Sequence, residues 1–414
     1  MKFNIGKTFL LGFGFFGVSV IWSVYNAFVP VFLADRFLMT AGFIGFFMTL
    51  DNIAALLIQP AVGSWSDRIQ TPIGRRMPFI LIGAPLAAAS FILLPLSQSL
   101  WLFFLAAVML LLSMAIWRTP VVALMPDITP SKYRSQANGI INLMGGLGAI
   151  IAFLGGAKLY EIDPTYPFWL GAGLVALSAL LVFIFVKEPK VAALTEKEPP
   201  NLMESLRLIL NNPDKSALRM LLAIFFWFIA YNGIEAFFTL YAKNHLGLAE
   251  ADGARLLGQL SFLFVLFSLP SGYIGAALGR KKTIMAGILL MAACVILMFC
   301  LPVESLTIPL TTLPALGLVP VIGLILMITG ISWSLININS LPMVVDMTEA
   351  SQIGTYTGLY YLFSTLAAIS GPILYGLIIQ LSGNNYSLVM LVSPIFFIMA
   401  FLSIRGVSKG EARI

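Results

Sequence analysis

Three ionisable side chains stand well inside long apolar runs of this 414-residue sequence: Asp51, Arg118 and Glu235. Each such charge costs about 2.5–3.5 kcal/mol at the centre of a bilayer-length helix, even on the lenient insertion scale. Burial drives a carboxylate to keep its proton near neutral pH, and a neighbouring arginine drives the proton off. A carboxylate that alternates between a proton and Arg118 is a coupling switch, and Asp51, Glu235 and Arg118 are its candidates. A fixed ion pair that only sets helix packing is the alternative. Aromatic and amide residues recur at helical spacing in the same kind of run: Trp22, Tyr25 and Asn26, then Tyr231 and Asn232, then Trp333 and Asn337, then Tyr356 and Tyr360. Aromatic faces of this kind can stack on a sugar ring and amides can pair its hydroxyls, although aromatics also serve as packing and interfacial anchors.

The elements that must position these groups are membrane spans. The chain is 59% hydrophobic and 10% charged, with a mean hydropathy of +0.97. Soluble domains carry about a quarter charged residues, so a soluble enzyme is excluded. A nucleic-acid-binding chain is excluded too, despite an isoelectric point near 9.3. Twelve apolar runs are each long enough for a spanning helix of about 20 residues. They cover roughly 8–33, 40–62, 78–97, 101–125, 136–157, 167–187, 217–241, 254–277, 283–301, 317–344, 354–379 and 386–404, numbered below as spans 1 to 12. With the N-terminus inside, 19 of the 24 Lys and Arg fall on the inner side, four on the outer side, and Arg118 within a span. Because Lys and Arg resist translocation, both termini are expected in the cytoplasm of a cell (inner) membrane. The segment 188–216 reads as a cytoplasmic linker, with an amphipathic surface helix near Leu202–Leu210, between six-helix bundles at 1–187 and 217–414. No cleavable leader is expected, because the first apolar run is too long for one.

The halves repeat. Trp22, Tyr25 and Asn26 match Phe228, Tyr231 and Asn232 at an offset of 206. Gly74-Arg75-Arg76 matches Gly279-Arg280-Lys281 at 205, and Asp127-Ile-Thr129 matches Asp346-Met-Thr348 at 219. A duplicated six-helix unit is a secondary-transporter architecture, with its site near the bilayer midplane. Between spans 2 and 3 runs Gln59-Pro60-Ala-Val-Gly63-Ser-Trp-Ser66-Asp67-Arg68, followed by Gly74-Arg75-Arg76-Met-Pro78-Phe79. Gly63 permits close helix approach, and Asp67 suits an ion pair that opens and closes during a transport cycle.

This loop resembles that of the major facilitator superfamily. The five residues between Arg68 and Gly74 are more than most members have, and that longer form resembles the sucrose:proton symporter group and, more loosely, the glycoside–pentoside–hexuronide cation symporters. A second stretch, Ala123-Leu124-Met-Pro-Asp127-Ile-Thr-Pro130 with Arg134 and Gly139, carries the same resemblance. It implies an all-α integral membrane fold of 12 transmembrane helices in two pseudo-symmetric six-helix bundles. It also implies gating by Gly63, Asp67, Arg68, Gly74, Arg75, Arg76, Asp127, Arg134 and Asp346. The chain departs from the pattern at Ala276, where the first half has Asp67, and at Val122, where the sucrose symporters have an arginine. Ala55 and Gln59 stand where the cation symporters have paired aspartates, which favours protons over sodium.

The expectation is therefore a proton-coupled symporter of a sucrose- or maltose-like sugar or glycoside, working as a monomer. The aromatic and amide residues named above would contact the sugar. The alternative is a proton-coupled antiporter exporting an amphipathic compound. Exporters often carry Gly-Pro in span 5, whereas this chain has Gly145-Gly146-Leu-Gly148 there and Gly371-Pro372 in span 11. A transporter-like sensor or accessory protein is a third reading. No Cys/His cluster, phosphate loop or nucleophile-base pair is visible, and His245 stands alone, so no cofactor, metal or enzymatic chemistry is expected.

Overall fold

The computed structural model describes residues 5–129, 134–188, 202–211, 213–348 and 352–411. Within them are 12 helices long and apolar enough to cross a membrane: Ile5–Asp35, Ala41–Arg68, Met77–Leu96, Leu100–Met125, Gly139–Tyr160, Tyr166–Phe185, Ser216–Asn244, Glu250–Leu278, Arg280–Cys300, Val321–Val345, Ile353–Leu381 and Leu388–Arg405. They are spans 1 to 12 in order. Helices dominate because lipid supplies no hydrogen-bond partners, so each spanning segment must satisfy its own backbone. A further helix, Leu202–Asn211, lies in the linker, whose residues 189–201 fall outside the described set.

Two compact units are formed. One takes 1–39, 50–195 and 250–258, the other 40–49, 196–249 and 259–414. The boundary thus falls inside span 2, between Thr49 and Leu50, and inside span 8, between Gly258 and Gln259. In the first unit, span 1 rests on span 5 at Gly148, where a Cβ would stand 2.5 Å from the Phe16 carbonyl oxygen. In the second unit, Gly371 lets span 11 approach span 7, since a Cβ there would lie 2.7 Å from the Ile229 carbonyl oxygen. Such contacts substitute for the hydrophobic drive that helices lack in lipid.

Spans 5 and 10 depart from the uninterrupted runs expected. Span 5 contains a π-helical turn at Ile151–Gly155. Span 10 begins at Val321, not near 317, because Pro309–Leu313 (β1) and Gly317–Pro320 (β2) pair as an antiparallel hairpin. The apolar run carries through Gly317-Leu-Val-Pro320, so composition alone merged strand with helix. Gln259 of span 8 fastens this hairpin, its Nε2 donating to the carbonyls of Leu316 at 3.2 Å and Leu318 at 2.7 Å.

Candidate functional site

Span 2 is broken within the apolar run that the sequence presents as one helix. Its first segment ends at Phe47, and helix resumes at Leu50. Thr49 makes the break: its amide donates to the Phe46 carbonyl at 3.0 Å and its hydroxyl to the same oxygen at 2.7 Å. That closes a tight turn where the i→i−4 ladder would otherwise continue. Asp51 therefore occupies the first turn of the second segment, where the helix dipole favours an anion. Asn52 Nδ2 donates to Asp51 Oδ1 at 2.8 Å. The charge of Arg118, from span 4, reaches Asp51. Two of the three membrane-embedded charges thus form one cluster in the first unit.

Span 1 presents Trp22 and Asn26 with partial exposure, while Tyr25 is 1% exposed. The Tyr25 ring meets Trp22 edge-on at 5.7 Å. Tyr25 is thus more enclosed than the two neighbours that share its expected role.

The second unit gathers the aromatic residues of spans 7, 10 and 11. Tyr231 and Trp333 stack face to face, with centroids 3.9 Å apart and planes 7° from parallel. Phe228 meets Trp333 edge-on at 5.4 Å and Tyr360 at 6.4 Å. The Tyr360 hydroxyl lies 3.0 Å from that of Ser340. Glu235 follows Tyr231 by one turn and acts on it electrostatically. Asn232 turns back on its own helix, donating to the Phe228 carbonyl at 2.7 Å. Asn337 is partly exposed. Tyr356 stands apart from the group, beside Asp214, Ser216, Met347 and Lys409. His245, just past span 7, packs against Tyr241, and partial burial lowers its pKa.

Around the loop between spans 2 and 3, the first unit holds a compact charge network. Asp127 receives Arg75 at 2.8 Å and Arg76 at 3.1 Å, one guanidinium on each oxygen. Arg76 also pairs with Asp67 and bonds Ser66. Arg75 reaches Asp67 only at 4.0 Å. Gly74, at φ +118°, turns the chain so that the Arg76 amide donates to Glu188 Oε2 at 2.9 Å. Gly63 sits against Thr119 of span 4, where a Cβ would make ordinary contact at 3.5 Å. Arg68 is exposed and forms no ion pair among the described residues. The partner of Asp67 is Arg76, because one more residue of span 2 points Arg68 outward. The side chain of Arg134, which opens the helix Arg134–Ile150, lies outside those described.

The second unit repeats the network in altered form. Arg280 pairs with Asp346 and donates to the Pro342 carbonyl at 3.0 Å. Ala276 leaves no counterpart of Asp67. Gly279, at φ +95°, directs the amides of Arg280 and Lys281 onto the Glu411 carboxylate at 2.7 and 3.2 Å. Glu188 and Glu411 thus play matching parts, each following the last span of its half and capping the loop-to-helix turn at the matching glycine. Neither was singled out from sequence. Their shared place after spans 6 and 12 was the available signal, but unequal loop lengths hide it.

Twelve apolar helices in two units define a multi-pass membrane protein. The Major Facilitator Superfamily profile matches residues 11–266 and 256–412, and the chain belongs to that family. It is 25% identical over 367 residues to the class D tetracycline resistance protein of Salmonella ordonez, covering 87% of this chain and 86% of that one. Multidrug resistance protein 1 of Bacillus subtilis (strain 168) is 24% identical over 293 residues, covering 66% and 69%. Among solved structures, a mutant of the nucleoside transporter NupG superposes with a TM-score of 0.75 at 14% identity, over 97% of this chain and all of that one. An inward-facing, occupied bacterial homolog of the human lysosomal transporter Spinster gives 0.71 at 14% identity, covering 96% and 94%. At those identities the structures speak for the fold. The sequence relatives shift the functional reading away from sugar symport.

Proposed function

We propose that this chain is a proton-driven antiporter that exports an amphipathic, ring-bearing small molecule across the inner membrane by alternating access. Both termini lie in the cytoplasm, and the chain works as a monomer of two bundles, 1–187 and 217–414, joined by 188–216. Asp51 is the proton-binding carboxylate and Arg118 the charge that competes with the proton. The observation carrying this reading is the placement of Asp51 in the first turn of a broken span, held by Asn52 at 2.8 Å and within reach of Arg118. A proton bound there neutralises the acid, and its loss hands the carboxylate to Arg118.

The aromatic group of the second unit supports a ring-bearing cargo more than a sugar. A sugar needs amides and hydroxyls free for its own hydroxyls. Here Asn232 gives one N–H to the Phe228 carbonyl, and the Ser340 hydroxyl is paired with that of Tyr360, while four rings of spans 7, 10 and 11 lie together. The names of the sequence relatives, tetracycline and multidrug resistance proteins, point the same way. The missing Gly-Pro in span 5 weighs less than those relatives. Glu235, beside Tyr231, adds a preference for a positively charged group on the cargo. Proton-linked sugar uptake is the second reading, favoured by the long form of the loop between Arg68 and Gly74.

Everted membrane vesicles separate the two. With an acid interior they should accumulate tetracycline or a fluorescent amphipathic cation, and dissipating the pH gradient should release it. Asp51→Asn should abolish the accumulation. If the vesicles ignore these compounds but right-side-out vesicles take up labelled sucrose or maltose with protons, the export reading falls.

A further inference from the structure

Among the described residues, the Tyr25 hydroxyl is buried without a hydrogen-bond partner. A buried hydroxyl left unsatisfied costs about 1–3 kcal/mol, and such an orphan in a folded protein calls for an explanation. Packing does not supply one, because phenylalanine would make the same edge contact with Trp22 without the penalty. The charge of Asp51 acts on Tyr25. That of Arg118 acts on Asp51. In the arrangement seen, Asn52 holds Asp51 Oδ1, and Tyr25 stands near the carboxylate without bonding it. The second half repeats the pairing, since Tyr231, 206 residues later, lies under the charge of Glu235.

From this geometry we infer that Tyr25 is a positioning residue for proton coupling, whose hydroxyl donates to the Asp51 carboxylate in the state in which Asp51 has lost its proton. This rests on Asp51 being the proton site. The break at Met48–Thr49 supplies the freedom the step needs. It uncouples the first turn of the second segment from the helix before it, so Asp51 can swing toward span 1 without moving a whole span. Tyr25 keeps its own proton throughout, and the Asp51 proton leaves to water. A hydrogen bond to an ionised group is the strong kind. It would hold the empty carboxylate in place until the next proton arrives, in competition with Arg118.

The test needs no knowledge of the cargo. Infrared difference spectra of the purified full-length chain between acid and alkaline pH contain carboxyl and carboxylate bands of Asp51, identified by their loss in Asp51→Asn. In Tyr25→Phe the carboxylate band should shift while the carboxyl band stays where it is in the parent. In the parent with isotope-labelled tyrosine, one tyrosine C–O band should change between the two pH values, and Asp51→Asn should erase that change. The labelled-parent measurement stands even if Tyr25→Phe does not fold. A carboxylate band unmoved in Tyr25→Phe, or a tyrosine band indifferent to Asp51, overturns the role of Tyr25 alone. The absence of any band lost in Asp51→Asn overturns Asp51 as the proton site, and the inference with it.

Discussion

Arg68 follows Asp67 in sequence whereas Arg76 pairs with it in the fold, and replacing each by alanine discriminates between their roles. Arg76 is 5% exposed and serves Asp67, Asp127 and Ser66. Removing one partner of a buried pair costs about 3–5 kcal/mol. Two features of the network reduce that figure. The Asp67 side chain is 48% exposed, so its share is that of a surface pair, at most about 1 kcal/mol. Asp127 keeps Arg75 at 2.8 Å, which leaves its loss near that of one charged hydrogen bond, about 1.5–3 kcal/mol. The sum is about 2–4 kcal/mol. Applied to whichever transport conformation contains the network, that is a shift of roughly 30- to 1,000-fold in the conformational equilibrium, at about 1.4 kcal/mol per tenfold. Arg68→Ala should stay within about 0.5 kcal/mol, as exposed unpaired side chains do. Turnover in vesicles and the melting temperature of the purified protein report both variants. Turnover should collapse in Arg76→Ala with cargo affinity little changed, and remain near parental in Arg68→Ala. Equal losses in the two variants would refute the assignment, because a generic need for positive loop charge would then explain both.

Three further outcomes follow from the same geometry. Arg118→Lys keeps the charge but loses the planar fork, so gradient-driven accumulation should fall at least tenfold while downhill exchange survives; parental accumulation at every pH would make Arg118 a structural counter-charge. Glu411→Gln keeps the shape but removes the charge that receives the Arg280 and Lys281 amides. It should cost about 1 kcal/mol at this helix start, read as faster amide exchange at those two residues, and unchanged exchange would show that the cap does not matter. Lys409 lies 2.8 Å from Asp214 and, with the Ser216 amide, holds the Asp214 carboxyl well below its ordinary value of 3.8. A depressed carboxyl stabilises the fold fully above its unfolded value and loses that contribution as pH falls through the folded one. Proteolytic release of residues 406–411 should therefore begin only well below pH 4, and release already at pH 5 would contradict the pairing.

Much of the molecule was legible in the sequence. The number and order of the spans follow from apolar run length, because hydrocarbon forces the backbone to satisfy itself and leaves few alternatives to helix. The internal repeat pointed to Arg75, Arg76, Asp127, Arg280 and Asp346, and the two halves do place them in matching networks. The cost of charge in lipid singled out Asp51, Arg118 and Glu235; the charge of Arg118 reaches Asp51, while Glu235 acts on Tyr231 in the other unit.

What sequence patterning could not decide is what depends on partners distant in the chain. Hydropathy is blind to the break at Met48–Thr49, because one threonine hydroxyl bonded to Phe46 changes the helix without changing the apolar run. It is equally blind to the hairpin before Val321, whose residues are as apolar as the span they precede. Arg68 and Arg76 are equivalent as charges, and only the direction in which each leaves its turn selects Arg76 for Asp67. Glu188 and Glu411 look like solvated loop residues until Gly74 and Gly279 turn backbone amides onto them. Tyr25 and Trp22 share a helix face by spacing, yet packing buries one to 1% exposure and leaves the other partly open. Composition and periodicity determine which segments enter the membrane and which charges are costly there. Which of those charges meet, and which side chains remain reachable, is decided by long-range packing, since burial and pairing belong to contacts between spans and to no single span's own pattern.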